Sequence, residues 1–300
     1  MTGDWLDEAL YPFAHRSFRT DGYDLHYVDD GSGEPLVFVH GTPTWSFLWR
    51  HLLVALRDRY RVVAPDHLGY GLSDKPAAAD LTPAAHARRF AELLQHLDLQ
   101  EVTLVVHDFG GPIGLAWALR HPERVKRVVL FNTWLWSNEG DRNVGTVSRL
   151  LGGPLGRFLY RRLNFSPRML LPSAFGDRDR LSAAVHRHYL GPFPTPATRE
   201  APWVLARELM GSNHWYEGLW AKRALLRELP VLIIWGMRDR LMPPRHLLRW
   251  QGELPHARVV RIAESGHFPQ EEAPDRVLRE LEEFLSAPAP QVHEERQVQA

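Results

Sequence analysis

The sequence predicts an α/β fold with a mostly parallel central sheet, on three observations. Short apolar, β-branched segments recur along both ends of the chain. Helical patterns alternate with them. Three chemically capable residues, Asp108, Asp239 and His267, each close one of those segments at its carboxyl end.

The segments are "PLVFVHG" (35–41), "YRVVAPDHLGYG" (60–71), "VTLVVHD" (102–108), "VKRVVLFN" (125–132), "LPVLIIWGMRD" (229–239) and "ARVVRIAESGH" (257–267). They are continuous rather than alternating, which is how strands buried on both faces of a parallel sheet read. Helical periodicity occupies 46–58, 82–99, 112–122 and 273–287. The alternation breaks between 137 and 225, where Gly152-Gly153-Pro154, several prolines and many aromatics accompany helical patterning without strands. The expected organisation is a core in two parts, 1–136 and 226–287, around an inserted helical cap, 137–225. Residues 288–300, "PAPQVHEERQVQA", lack apolar periodicity and read as a disordered tail.

With 300 residues, 44% apolar and 24% charged, the chain can bury a substantial core. Basic and acidic residues balance at 36 each, which points away from nucleic acid and from a polybasic membrane patch. No apolar run reaches the roughly 18 residues of a membrane span, and the start, "MTGDWLDEALYPF", does not read as a signal peptide. The absence of cysteine excludes disulfides and thiol catalysis and fits a cytoplasmic location. Oligomeric state is left open, since balanced charge sets no barrier to association.

"VVHDFGGPIG" (105–114) has the outline of a strand turning sharply into a helix, with Asp108 at the turn. Gly110 and Gly111 supply the small neighbours such a turn needs, Pro112 suits the first helical turn, and the helix N-terminus favours an ionised carboxylate. Asp108 is the expected nucleophile, His267 the base and Asp239 the acid that orients it. Their chain order, nucleophile, acid, histidine, is that of an α/β-hydrolase. "HGTPTW" (40–45) follows the first of these strands, and the backbone N–H groups of Thr42 and Phe109 are the expected oxyanion donors.

Taken together, V-H-D-x-G-G, "HGTPTWSFLWR", "PDHLGYGLSDKP" (65–76), "WGMRDRLM" and "SGHFPQEEAP" resemble the haloalkane dehalogenases over about 30–135 and 228–287. The resemblance implies an α/β-hydrolase fold and a two-step substitution in small apolar substrates. Asp108 displaces halide from an sp³ carbon, and water activated by His267 hydrolyses the resulting alkyl ester. No metal or organic cofactor is implied. The chain departs from the family at Phe109, where Trp typically helps hold the leaving halide, because a phenyl ring has no N–H to offer. Expected replacements for substrate or halide contact are Trp45, Asn132, Trp134 and Trp136, alongside the ring of Phe109. An epoxide hydrolase is the first alternative, with Tyr160, Tyr189 and Tyr216 available in the cap. A β-lactone decarboxylase is the next, since carbon–oxygen cleavage needs no halide cradle. A non-catalytic binding protein is disfavoured by a triad complete in type and order.

Overall fold

The computed structural model describes residues 4–287. The tail expected at 288–300 lies outside the described residues. The strands are β1 (Arg16–Thr20), β2 (Tyr23–Asp30), β3 (Pro35–Val39), β4 (Arg61–Pro65), β5 (Val102–Asp108), β6 (Val125–Thr133), β7 (Val231–Gly236) and β8 (Arg258–Ile262). They form one sheet in the order β1-β2-β4-β3-β5-β6-β7-β8. β3 to β8 are parallel throughout, whereas β1 and β2 join antiparallel at the β4 edge. All residues of β5 and β7 are buried, as continuous apolar strands between two helical layers must be.

β1 and β2 have no counterpart among the segments read from the sequence. β1 lies at the sheet edge and β2 next to it, and both are half-polar, so they lack the apolar run that marks the others. Their joint is nevertheless written in the chain: Asp21 and Gly22 both take positive φ, 51° and 82°. That is the two-residue Asp-Gly hairpin turn whose twist matches the flanking strands.

The helices are α1 (Arg50–Leu56), α2 (Pro83–His96), α3 (Gly110–Ala118), α4 (Arg142–Gly152), α5 (Pro154–Leu163), α6 (Leu171–Ala174), α7 (Ala183–Leu190), α8 (Glu200–Gly211), α9 (Asn213–Ala221), α10 (Pro244–Glu253), α11 (Pro269–Glu272) and α12 (Pro274–Ser286). α2 shows why they form where they do. Thr82 caps it by accepting from the Ala85 N–H at 3.3 Å, Pro83 sits at its start, and Phe90, Leu93 and Leu94 turn inward. Every residue of α3 is buried, because it runs directly behind the sheet. The chain between β6 and β7 is helical without a strand, with α4 packed on α5 and α8.

The β5–α3 turn is the tightest junction. Asp108 lies in the left-handed region at φ 52°, a conformation that costs a non-glycine residue about 1–2 kcal/mol. The surroundings fit closely around it. A methyl on Gly110 would overlap the Val39 carbonyl oxygen, and one on Gly111 would overlap the Thr133 hydroxyl. That hydroxyl donates to the Asp108 carbonyl at 2.6 Å, tying the turn to the end of β6. Gly110→Ala is therefore expected to lower unfolding free energy by about 1–3 kcal/mol or more, by overpacking against backbone. Gly252→Ala, in an exposed helical position with open space around it, should raise it by about 0.5–1 kcal/mol. Urea unfolding of both variants measures the contrast.

Candidate active site

Four chain segments converge above the carboxyl ends of the strands. The β5–α3 turn carries Asp108, the β3 loop Thr42, the β7 loop Asp239 and the β8 loop His267. The Thr42 N–H donates to Asp108 Oδ1 at 2.8 Å, so the strand-end loop already points a backbone donor at the carboxylate. Gly41 permits this closeness, because a methyl there would collide with the Asp108 carboxylate itself. Behind the loop, His40 Nδ1–H donates to the Gly41 carbonyl at 2.7 Å and its Nε2 accepts from the His67 N–H at 3.0 Å. Tyr70 donates to the Thr42 hydroxyl at 3.1 Å. Phe109 caps the start of α3, where the first N–H groups have no intrahelical partners.

On the other side of Asp108, Oδ2 faces His267 Nε2 at 3.5 Å. His267 Nδ1–H donates to Asp239 Oδ2 at 2.6 Å. The other Asp239 oxygen accepts from the N–H groups of Leu241 and Met242 at 2.7 and 2.9 Å. Burial would push the Asp239 carboxyl up, but the His267 charge and these donors hold it below the usual range. Burial would likewise push His267 down, yet Asp239 and Asp108 outweigh it and push it up to about 10. The His107 ring lies 4.6 Å from that of His267, tilted by 54°, and donates from Nε2 to the His267 carbonyl at 2.8 Å. Burial and the adjacent His267 charge lower His107 to about 3, which keeps it neutral.

The His267 loop is fastened from both sides. Its own N–H donates to the Ala174 carbonyl at 2.8 Å. Glu272 accepts from the N–H groups of Gly266, Gly176 and Asp177 at 2.7, 2.8 and 2.9 Å, joining the loop to the helical insertion. The neighbouring Glu271 takes Arg50 in a two-pronged ion pair and also accepts from Tyr189 of α7. Glu272 and Tyr70 are absent from the residues the sequence singles out. "SGHFPQEEAP" contains the acid, but which of its two glutamates turns back on the loop is a matter of helix phase.

Asp108 and His267 open onto a cavity of about 260 Å³ between the sheet and the insertion. Thr42, Phe109 and Trp134 line its floor beside Asp108, and Leu151, Tyr160, Ser166 and Leu170 come from the insertion. Apart from the Asp108–His267 end, Arg240 and Arg245 are the only charged side chains lining it among the described residues. Phe109 meets Trp134 edge to face at 4.8 Å, and the Trp134 indole N–H is buried with no partner among the described residues.

Three of the expected substrate contacts stand elsewhere. Trp45 donates its N–H to the His188 carbonyl at 2.9 Å and packs among Trp5, Tyr11 and Phe47, so the loop faces the site while its indole faces the core. Trp136 sits in a cluster with Trp220, Trp250 and His246. Asn132, at a register shift in the β5–β6 pairing, has φ 25° and donates to Asp239 Oδ2 at 2.7 Å, while its Oδ1 accepts from the Gly236 N–H. A local bulge thus re-aims its amide at the acid rather than at the cavity. Of the insertion tyrosines, Tyr216 donates to the Glu208 carbonyl and Tyr189 to Glu271, leaving Tyr160 alone at the cavity.

Such a set can present a carboxylate oxygen to a carbon in an apolar cavity, with a base and backbone donors alongside. Among the described residues no group of three or more potential ligands could hold a metal ion.

Comparison with known proteins agrees with this geometry. The family model described as alpha/beta hydrolase fold matches residues 34–274. Haloalkane dehalogenase 2 of Mycobacterium tuberculosis is 38% identical over 90% of this chain and 94% of its own length. A cis-3-alkyl-4-alkyloxetan-2-one decarboxylase of Shewanella oneidensis is 34% identical over 93% of this chain and 90% of its own. The crystal structure of the haloalkane dehalogenase DatA from Agrobacterium tumefaciens superposes with a TM-score of 0.83 at 30% identity, covering 93% of this chain and 99% of that one. The chain belongs to the α/β-hydrolase fold family and is a hydrolase of its haloalkane dehalogenase-like branch.

Proposed function

We propose that the protein hydrolyses carbon–halogen bonds in small apolar compounds through an alkyl ester on Asp108. The observation that carries this reading is the Asp108 carboxylate itself, held with Oδ1 on the Thr42 N–H and Oδ2 toward His267 at the floor of an apolar cavity. An oxygen attacks the sp³ carbon, the carbon–halogen bond breaks, and halide leaves with the bonding electrons. Water then gives a proton to His267 Nε2 and attacks the ester carbonyl carbon. The Thr42 and Phe109 N–H groups stabilise the oxyanion. On collapse the carbon–oxygen bond to the alkoxide breaks, the His267 imidazolium returns its proton to the alkoxide so that the alcohol leaves, and Asp108 is restored on losing its proton to solvent. Asp239 balances the imidazolium formed in between, and Asn132 holds Asp239.

Charge sets the order of these steps. In the free enzyme two carboxylates favour protonated His267. Esterification removes the Asp108 charge, leaving Asp239 alone, so the His267 pKa falls and the imidazole becomes available as a base when it is needed.

A second reading draws on the relative from Shewanella oneidensis, whose name describes a four-membered lactone substrate. Ring strain activates a β-lactone, so its opening does not depend on a halide cradle, which suits Phe109. Epoxide opening by two tyrosines is less well supported, because Tyr189 and Tyr216 spend their hydroxyls away from the cavity.

The direct test is the intact mass of His267→Ala after exposure to a bromoalkane. A gain equal to the alkyl group, absent in Asp108→Asn, is the expected result; no gain, with carbon dioxide released from a cis-dialkyl β-lactone by the unaltered protein, selects the second reading. In stopped-flow with the unaltered protein, the hydrolysis of the ester should rise by about tenfold per pH unit below the ester form's His267 pKa, since only neutral imidazole accepts the proton. The alkylation step, which needs only ionised Asp108, should stay nearly flat over the same range. Trp134, whose indole N–H beside Phe109 has no partner among the described residues, is assigned to the leaving group. Trp134→Phe should slow alkylation by roughly tenfold or more while leaving ester hydrolysis unchanged.

A further inference from the structure

Charge balances over the whole chain but not along it. Residues 142–176 contain Arg142, Arg149, Arg157, Arg161, Arg162 and Arg168 and no acid. The same stretch holds five of the eight large apolar side chains exposed among the described residues: Leu150, Leu155, Phe158, Leu163 and Met169, each more than half exposed.

α5 carries both kinds of residue. Gly156 and Tyr160 are buried, Tyr160 at the cavity, while Leu155, Phe158 and Arg162, spaced i, i+3 and i+7, form an exposed stripe. A shallow depression brings Phe158 together with Arg157, Arg161 and Arg162. Arg157 and Arg161 reach Glu200 at 3.6 and 3.1 Å, but Arg162 and Arg168 form no side-chain ion pair among the described residues.

We propose that this face docks the protein on an anionic lipid surface. Exposed leucines and a phenylalanine flanked by arginines are what an interfacial helix presents: apolar side chains enter the headgroup boundary while guanidinium groups meet lipid phosphate. Charge decides against a second copy as the occupant, since self-association would set these arginines against their own equivalents. The exposed aliphatic side chains decide against nucleic acid, which asks for stacking rings and hydrogen-bond donors. No described helix is long and apolar enough to cross a membrane, so the contact is one of surface. Because Leu151, Tyr160 and Leu170 of the same stretch line the cavity, docking brings its roof against the layer in which apolar compounds dissolve. The balanced composition concealed this face, because the compensating acids lie on other elements.

Flotation of the full chain with vesicles tests the assignment without depending on any catalytic reading. The protein should float with phosphatidylcholine vesicles containing phosphatidylglycerol, much less with phosphatidylcholine alone, and less again at high salt. The double variant Arg162→Gln, Arg168→Gln should lose roughly twentyfold in partitioning, about fivefold for each arginine. Phe158→Ser should weaken it independently. Unchanged melting temperatures identify folded variants, and the arginine pair keeps the test open if Phe158→Ser misfolds. Equal partitioning to both vesicles, no flotation, or binding indifferent to the folded variants would overturn the proposal. So would a dimer in sedimentation velocity that Phe158→Ser dissociates.

Discussion

Everything at the cavity floor depends on one backbone conformation, the left-handed turn at Asp108. It lifts the carboxylate out of the strand end and points its two oxygens in different directions, one to the Thr42 N–H and one to His267. The conformation is unfavourable for an aspartate by itself. It is closely packed around: Gly41, Gly110 and Gly111 let neighbouring segments approach where no side chain would fit, and the Thr133 hydroxyl anchors the Asp108 carbonyl. A turn held this way costs little reorganisation when a substrate arrives.

The electrostatics extend outward from that turn. Two buried carboxylates flank one imidazole, so His267 is more basic than a histidine in water. The arrangement is stable only while the total charge is shared, and the Leu241 and Met242 N–H groups and the Asn132 amide spread the charge of Asp239. Neutralising Asp108 shifts the balance toward a weaker base, which couples the proposed second step to completion of the first. Glu272 and Glu271 then join this core to the helical insertion through the Gly176 and Asp177 N–H groups and Tyr189. The cavity and its roof are thereby held in register by adjacent acids on one short helix.

The aromatic residues divide by the same logic of hydrogen-bond satisfaction. An indole N–H buried in a core needs an acceptor, and Trp45, Trp235 and Trp250 each find a backbone carbonyl. Trp49, Trp134 and Trp203 find none among the described residues, and of these Trp134 stands at the cavity, against the ring of Phe109. Counting tryptophans near a motif could not separate these cases, because a helix or loop can turn the same residue to either face.

What the sequence determined by itself was whatever depends on neighbours along the chain. Continuous apolar runs marked β3 to β8, helical periodicity over 82–99 marked α2, and Gly110-Gly111 after an apolar strand marked the turn at Asp108. The order of Asp108, Asp239 and His267 was legible because strand ends in a parallel sheet gather at one edge. The Asp21-Gly22 hairpin was legible too, but its half-polar strands give no apolar run to draw attention to it. Tertiary structure alone decided which side chains share the cavity. A bulge at Asn132 turned its amide to Asp239, core packing withdrew Trp45 and Trp136, and helix phase placed Tyr160 inward and Phe158 outward two residues apart. These outcomes turn on rotations of tens of degrees within elements already correctly placed, and those rotations are set by contacts between segments far apart in the chain.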